Sequence, residues 1–163
     1  MSQRPEGATG SHGVKLRDLV VVAAASLWVA CAGARPTDLG TRTNRLAPCP
    51  ASPNCVASDA PDGDHAIAPL ALAAPADEAW SAARAALAAL PRTRIVAETD
   101  DYLHAECSSA LFRFVDDIEL QLISAEGIIA VRSASRVGYG DMGVNRRRVE
   151  DLRESLARSG VSK

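Results

Sequence analysis

The chain has 163 residues, room for one domain with short extensions, and no repeat at solenoid periods divides it. Hydrophobic residues make up 47% but aromatics only 4%, so the core must come from Leu, Ile, Val and Ala. The formal net charge is −2 and basic residues are interleaved with acids, Arg146-Arg-Arg148 apart, which argues against nucleic acid as a partner.

Residues 1–13 are polar and glycine-rich, an odd preface to the basic and apolar segment after them. Val14-Lys-Leu-Arg would make a normal beginning, so 1–13 reads as a polar leader or a mis-assigned start. Lys15 and Arg17 precede an apolar run, Leu19 to Ala30, that ends at Cys31. A basic region, an apolar stretch and a small residue before the break make residues 14–31 a secretory signal. The run is shorter than the roughly 20 apolar residues of a spanning helix. Leu27-Trp-Val-Ala-Cys31 resembles a bacterial lipoprotein signal, in which the cysteine becomes the lipidated first residue, although Trp28 stands where that pattern prefers Leu. The expectation is a lipid on Cys31 that anchors the protein in the cell envelope, facing the periplasm or exterior. Ordinary cleavage and an uncleaved anchor are the alternatives. Residues 32–47 carry Pro, Thr, Gly, Asn and Arg without apolar period and read as a flexible tether.

Cys49-Pro-Ala-Ser-Pro-Asn-Cys55 cannot be helical with two prolines, so it forms a rigid turn. In an exported chain, cysteines this close most simply form a disulfide, a local staple contributing about 2–3 kcal/mol. A metal site would need His65 or Cys107, which lack zinc-type spacing, and a redox pair would depart from C-x-x-C. Strand alternation points Cys107 inward with Leu103 and Ala105, a buried thiol. No cofactor and no metal are expected.

The domain is expected over 48–160. Asp62-Gly63-Asp64 makes a turn before a first strand, His65 to Leu72. Pro75, Asp77 and Glu78 suit a helix first turn, and Trp80, Ala83, Leu87 and Leu90 give one apolar face before Pro91 stops it. Four extended runs come next: 93–99, 102–107, 112–123 and 128–137, joined by short turns. The last helix spans about 142–159, with Asp141 as N-cap and Met142, Asn145, Val149, Leu152 and Leu156 as its inner stripe. Gly160 stops it. This is an α+β chain: an antiparallel sheet of about five strands with two helices on one face, in an order similar to half of a TATA-binding-protein-like fold.

If the last hairpin closes with Ile123 opposite Ile128, then Leu120 faces Val131, Ile118 faces Ser133 and Asp116 faces Ser135, all on the helix side. Ser135, Asn145, Arg148 and the helix-start amides are natural donors to Asp116. Cys107 opposite Phe112 would put Leu103 beside Asp116. Asp116, Ser133, Ser135 and Asn145 then lock the last helix onto the sheet, or else build a pocket there. The opposite face carries Tyr102, His104, Glu106, Arg113, Asp117, Glu119, Arg132 and Arg136, and reads as a solvated, cross-paired surface. Glu106 is expected across from Arg113, and Glu119 across from Arg132. No nucleophile–base arrangement is visible.

Three blocks carry a resemblance: Cys49-Pro-x-Ser52-Pro53-Asn54-Cys55-Val56, then Phe114-Val-Asp116-Asp117-x-Glu119, then Arg132-Ser133-x-Ser135-Arg136-x-Gly138-x-x-Asp141-x-Gly143-x-Asn145-x-x-Arg148. Together they resemble the uncharacterised domain-of-unknown-function family 1499 over about Leu46 to Leu156, with bacterial members often predicted lipoproteins. The resemblance implies no activity. The expected function is a cell-envelope lipoprotein with a small non-catalytic binding or structural domain. Its rivals are an enzyme or anion-binding protein using Asp116, Arg136 and Arg148, and a subunit of an envelope complex docking through the open sheet face or a sheet edge.

Overall fold

Short polar turns between the apolar runs from Thr93 to Ser135 pair each of these runs with the next, and every ladder of the sheet is antiparallel. The computed structural model describes residues 33–61 and 63–163. The leader, the signal-type segment with Cys31, and Asp62 of the first expected turn lie outside the described residues. In chain order come a hairpin of β1 (Thr41–Arg42) and β2 (Arg45–Leu46), then β3 (Cys55–Ala57), β4 (Leu70–Ala71) and helix α1 (Ala76–Ala89). Strands β5 (Thr93–Glu98), β6 (Tyr102–Ser108), β7 (Val115–Ile123) and β8 (Ile128–Ser135) come after it, and helix α2 (Val144–Arg158) is last.

The main sheet has six strands in the order β3-β8-β7-β6-β5, with β4 sharing the outer edge of β8. The extra strand is β3, which leaves the cysteine turn directly into pairing with β8. The first expected strand shrinks to Leu70–Ala71 behind a 3-10 turn at Gly63–His65. Pro69 has no N–H to give a ladder, so pairing starts only after it.

The last hairpin has the expected register, with Asp116 opposite Ser135, Ile118 opposite Ser133, Glu119 opposite Arg132 and Leu120 opposite Val131. The preceding pair is shifted. Cys107 faces Asp116, Glu106 faces Asp117 and Leu103 faces Leu120, so neither Phe112 nor Arg113 is in the ladder. Arg113 sits at φ 55°, a left-handed conformation that breaks a strand, and Ser109 closes the loop with bonds between its amide and the Phe114 carbonyl and between its hydroxyl and the Phe114 amide.

Both helices pack on one face. Ala79, Ala83 and Leu87 of α1 and Val149, Leu152 and Leu156 of α2 form one core with Leu103, Ile118, Leu120 and Val131. Gly160 ends α2 at φ 76°, with the Val161 amide returning to the Leu156 carbonyl and the Gly160 amide to that of Ala157. The chain does not stop being structured there: Val161 is buried, and the Lys163 amide bonds the Ala71 carbonyl, so the domain runs past its expected end. Met142, expected on the inner stripe, is 94% exposed, because α2 begins only after it.

The largest correction concerns residues 33–47. They are not a free tether but a strap across the sheet face away from the helices. Thr43 and Asn44 take left-handed φ of 49° and 60°, the geometry of a tight two-residue hairpin turn between β1 and β2. Leu46 is buried against Ile123 and Ala130, the Gly40 amide bonds Glu119, and Arg35 pairs with Glu106.

Candidate functional site

Neighbouring residues of a strand point to opposite faces, so Asp116 and Asp117 belong to different clusters. On the helix side, Asn145 is fully buried and central. Its Oδ1 accepts from Ser133 Oγ at 2.6 Å and Arg148 Nη1 at 2.7 Å. Its Nδ2 lies 3.0 Å from the Asn54 carbonyl, 3.0 Å from Ser135 Oγ and 2.9 Å from Asp141 Oδ2. Arg148 Nη1 also reaches Ser133 Oγ at 3.0 Å, and its Nη2 donates to Asp116 Oδ2 at 2.6 Å. The amide thus ties α2 to β8 and to the cysteine turn. Asp141 is not the residue at the cap position, which is Gly143 at φ 74°, yet it accepts the Gly143 and Asn145 amides at 2.9 and 2.8 Å. Burial works against its charge, but those amide bonds outweigh it and hold the carboxyl below its ordinary range.

The opposite face is not solvated. His104 is 3% exposed, Asp117 1%, Glu119 0% and Arg132 4%, since the strap lies over them. Arg136 grips Asp117 with Nε at 2.8 Å and Nη2 at 2.7 Å, and the same Nη2 reaches Glu106 at 2.7 Å. His104 Nε2 lies 2.7 Å from Asp117 Oδ1. Glu119 accepts from Tyr102 Oη and the Gly40 amide, each at 2.7 Å, and from Arg132 at 3.0 Å. Burial opposes the charge on Glu106 and Asp117, yet arginine bonds prevail: Arg136, Arg35 and Arg94 bring Glu106 down to about 2, and Arg136 with His104 lowers Asp117. Burial, with the Glu119 charge beside it, pushes the Tyr102 hydroxyl up. The sheet face expected to be open is therefore covered by the strap.

The expected convergence of Asp116, Arg136 and Arg148 does not occur, because Arg136 serves the strap face while Asp116 and Arg148 pair beside α2. Pattern in the sequence does not reveal the end of the fold next to that pair. There a cavity of about 610 Å³ opens between the 109–114 loop and the β8–α2 connection, lined by Phe112, Phe114, Val137, Met142 and Val144 over Asp116 and Ser135. A second cavity, about 350 Å³, adjoins Asp116 from the side of Thr93, Cys107 and Arg148. A signal is present in the apolar Leu111, Phe112, Phe114, Tyr139 and Met142, but alternation and helical spacing assign Phe112, Phe114 and Met142 to strand and helix positions.

Cys49 and Cys55 are joined as a disulfide, with Cα atoms 5.7 Å apart, and Cys107 is a buried free thiol held up in pKa by burial. Among the described residues no group of three or more His, Cys, Asp or Glu side chains is placed to hold a metal, and no described helix is long and apolar enough to cross a membrane.

These features define a small α+β domain whose sheet carries helices on one face and a polar-locked strap on the other. The chain belongs to the family described as a protein of unknown function, DUF1499, whose model matches residues 45–156. No curated protein and no solved structure matches it.

Proposed function

We propose that this protein is a cell-envelope lipoprotein, anchored through Cys31, whose domain is a non-catalytic binding or structural module. The observation that carries the non-catalytic reading is the engagement of its charged side chains with one another. Asp116 with Arg148, Asp117 with Arg136 and Glu119 with Arg132 are all paired. A general acid or base needs a pKa matched to proton transfer and access to substrate; Glu106 and Asp117 have carboxyls driven low and lie beneath the strap. The leader pattern and the disulfide support an oxidising compartment outside the cytoplasm. The test is metabolic labelling with a fatty acid, followed by membrane fractionation. Cys31→Ala is expected to abolish labelling and release the protein; labelling that persists in the variant would end this reading.

A ligand-binding role has one specific observation in its favour: Asp116 borders both cavities, and the larger lies within the size range of small-molecule sites.

A further inference from the structure

The large hydrophobic side chains that stay exposed among the described residues gather at one end of the fold. Leu111, Phe112 and Phe114 lie in the 109–114 loop, and Tyr139, Met142 and Val144 lie at the β8–α2 connection. Leu111 and Tyr139 are each 79% exposed and Met142 is 94% exposed, whereas the large hydrophobic side chains outside these two segments are, among the described residues, buried or half-buried. The two loops are held side by side by the pairing of Asp116 with Ser135. Their tips are shaped by left-handed backbone at Arg113 (φ 55°) and Met142 (φ 54°), which L-residues adopt at a cost. Core packing gives no reason for this arrangement.

The chain enters the domain at the same end. Gly33 lies so close to the β8–α2 connection that a β-carbon there would come within 2.9 Å of both Arg136 Cβ and Val137 Cγ1. Val137 itself lines the larger cavity. Cys31 is two residues upstream, and two residues of chain reach at most about 7 Å. A lipid on Cys31 therefore brings the membrane interface to the rim that carries the exposed apolar tips.

We propose that this end of the domain docks on the phospholipid bilayer, with Leu111, Phe112, Tyr139 and Met142 entering the headgroup and upper acyl region. The proposal rests on the lipoprotein reading above and adds where the domain sits once anchored. Aromatic and long apolar side chains are suited to that layer, and a lipid chain gains firm hold from a second insertion signal. Asp116 is already paired with Arg148, and Asp141 with backbone amides, so neither carboxylate opposes the approach.

The test places single spin labels in the full lipidated chain by Tyr139→Cys and by Met142→Cys, with Ser124→Cys, at the far end of β7, as the water-exposed reference. In the lipidated chain the Cys31 thiol carries the lipid, Cys49 and Cys55 are bonded to each other and Cys107 is buried, so the label reports the new thiol. In vesicles of phosphatidylethanolamine and phosphatidylglycerol, collision with oxygen is compared with collision with a polar nickel chelate. The oxygen-to-nickel ratio is expected to be several-fold higher at 139 and 142 than at 124. Equal ratios at all three positions would overturn the proposal. So would a label at 142 shielded from both reagents, which would mean that a protein segment, a small molecule or the protein's own acyl chain fills the groove. The mass of the N-terminal peptide is read from the same sample. A lipid-free peptide overturns the lipoprotein reading and this proposal together; a lipidated peptide with water-exposed tips overturns this one alone.

Discussion

Asn145 shows how one side chain can define an element's seat. An amide has a donor end and an acceptor end, and here the surroundings fix which is which: Arg148 and the Ser133 hydroxyl face Oδ1, while the Asn54 carbonyl and Asp141 carboxylate face Nδ2. Alanine at 145 would leave those groups buried without their partner, and the loss expected in urea unfolding is about 2–3 kcal/mol with an unchanged m-value. Aspartate, though nearly the same shape, is expected to be no rescue. It replaces the donor end by an oxygen where Asp141 Oδ2 already stands 2.9 Å away. A variant as stable as the parent would mean that α2 is seated by its apolar stripe alone.

The elements differ in how legibly the sequence encodes them, and the reasons are physical. Strands β7 and β8 have alternating apolar runs and a turn whose Gly127 takes φ 65°, so their register follows from pattern alone. The β6–β7 register fails because Phe112 and Phe114 continue the alternation of β7 into what is a loop. Strand β3 hides inside the cysteine motif, where three residues are too few to show a period. The strap hides for a different reason. It buries charged residues, so the segment that covers them is itself polar and looks like a linker, and the face beneath it looks wet. The helix-side cluster is legible residue by residue, since an asparagine on an apolar stripe opposite serines and an aspartate points to a buried network. For the strap, Leu46→Ala is the discriminating variant. Leu46 is 5% exposed, so truncation is expected to lower unfolding stability by about 2–3 kcal/mol, where a tether residue would cost almost nothing.

At the scale of the molecule, the strap couples stability to pH. Glu106 draws arginines from three parts of the chain: Arg35 of the strap, Arg94 of β5 and Arg136 after β8. These bonds favour the ionised form, which is why the Glu106 carboxyl falls from its ordinary 4.5 to about 2, and why Asp117 and Asp141 are lowered too. A carboxyl held lower in the folded state than in the unfolded chain binds fewer protons when folded, so stability rises with pH across the interval between the two values. The contribution is whole above the unfolded value and is lost as pH falls through the folded one. Urea midpoints are thus expected to hold down to about pH 5 and then drop steadily toward pH 2. In Glu106→Gln the drop in this window should be shallower, because one of the linked protons is gone, and the parent stability above pH 5 should be lower, because Arg136, Arg94 and Arg35 lose their shared anion. Exchange of the Gly40 amide, which is bonded to Glu119 at 2.7 Å, locates the event. If acid loosens the strap first, that amide loses protection before the amides of β7 do. Simultaneous loss would mean that strap and sheet unfold as one unit.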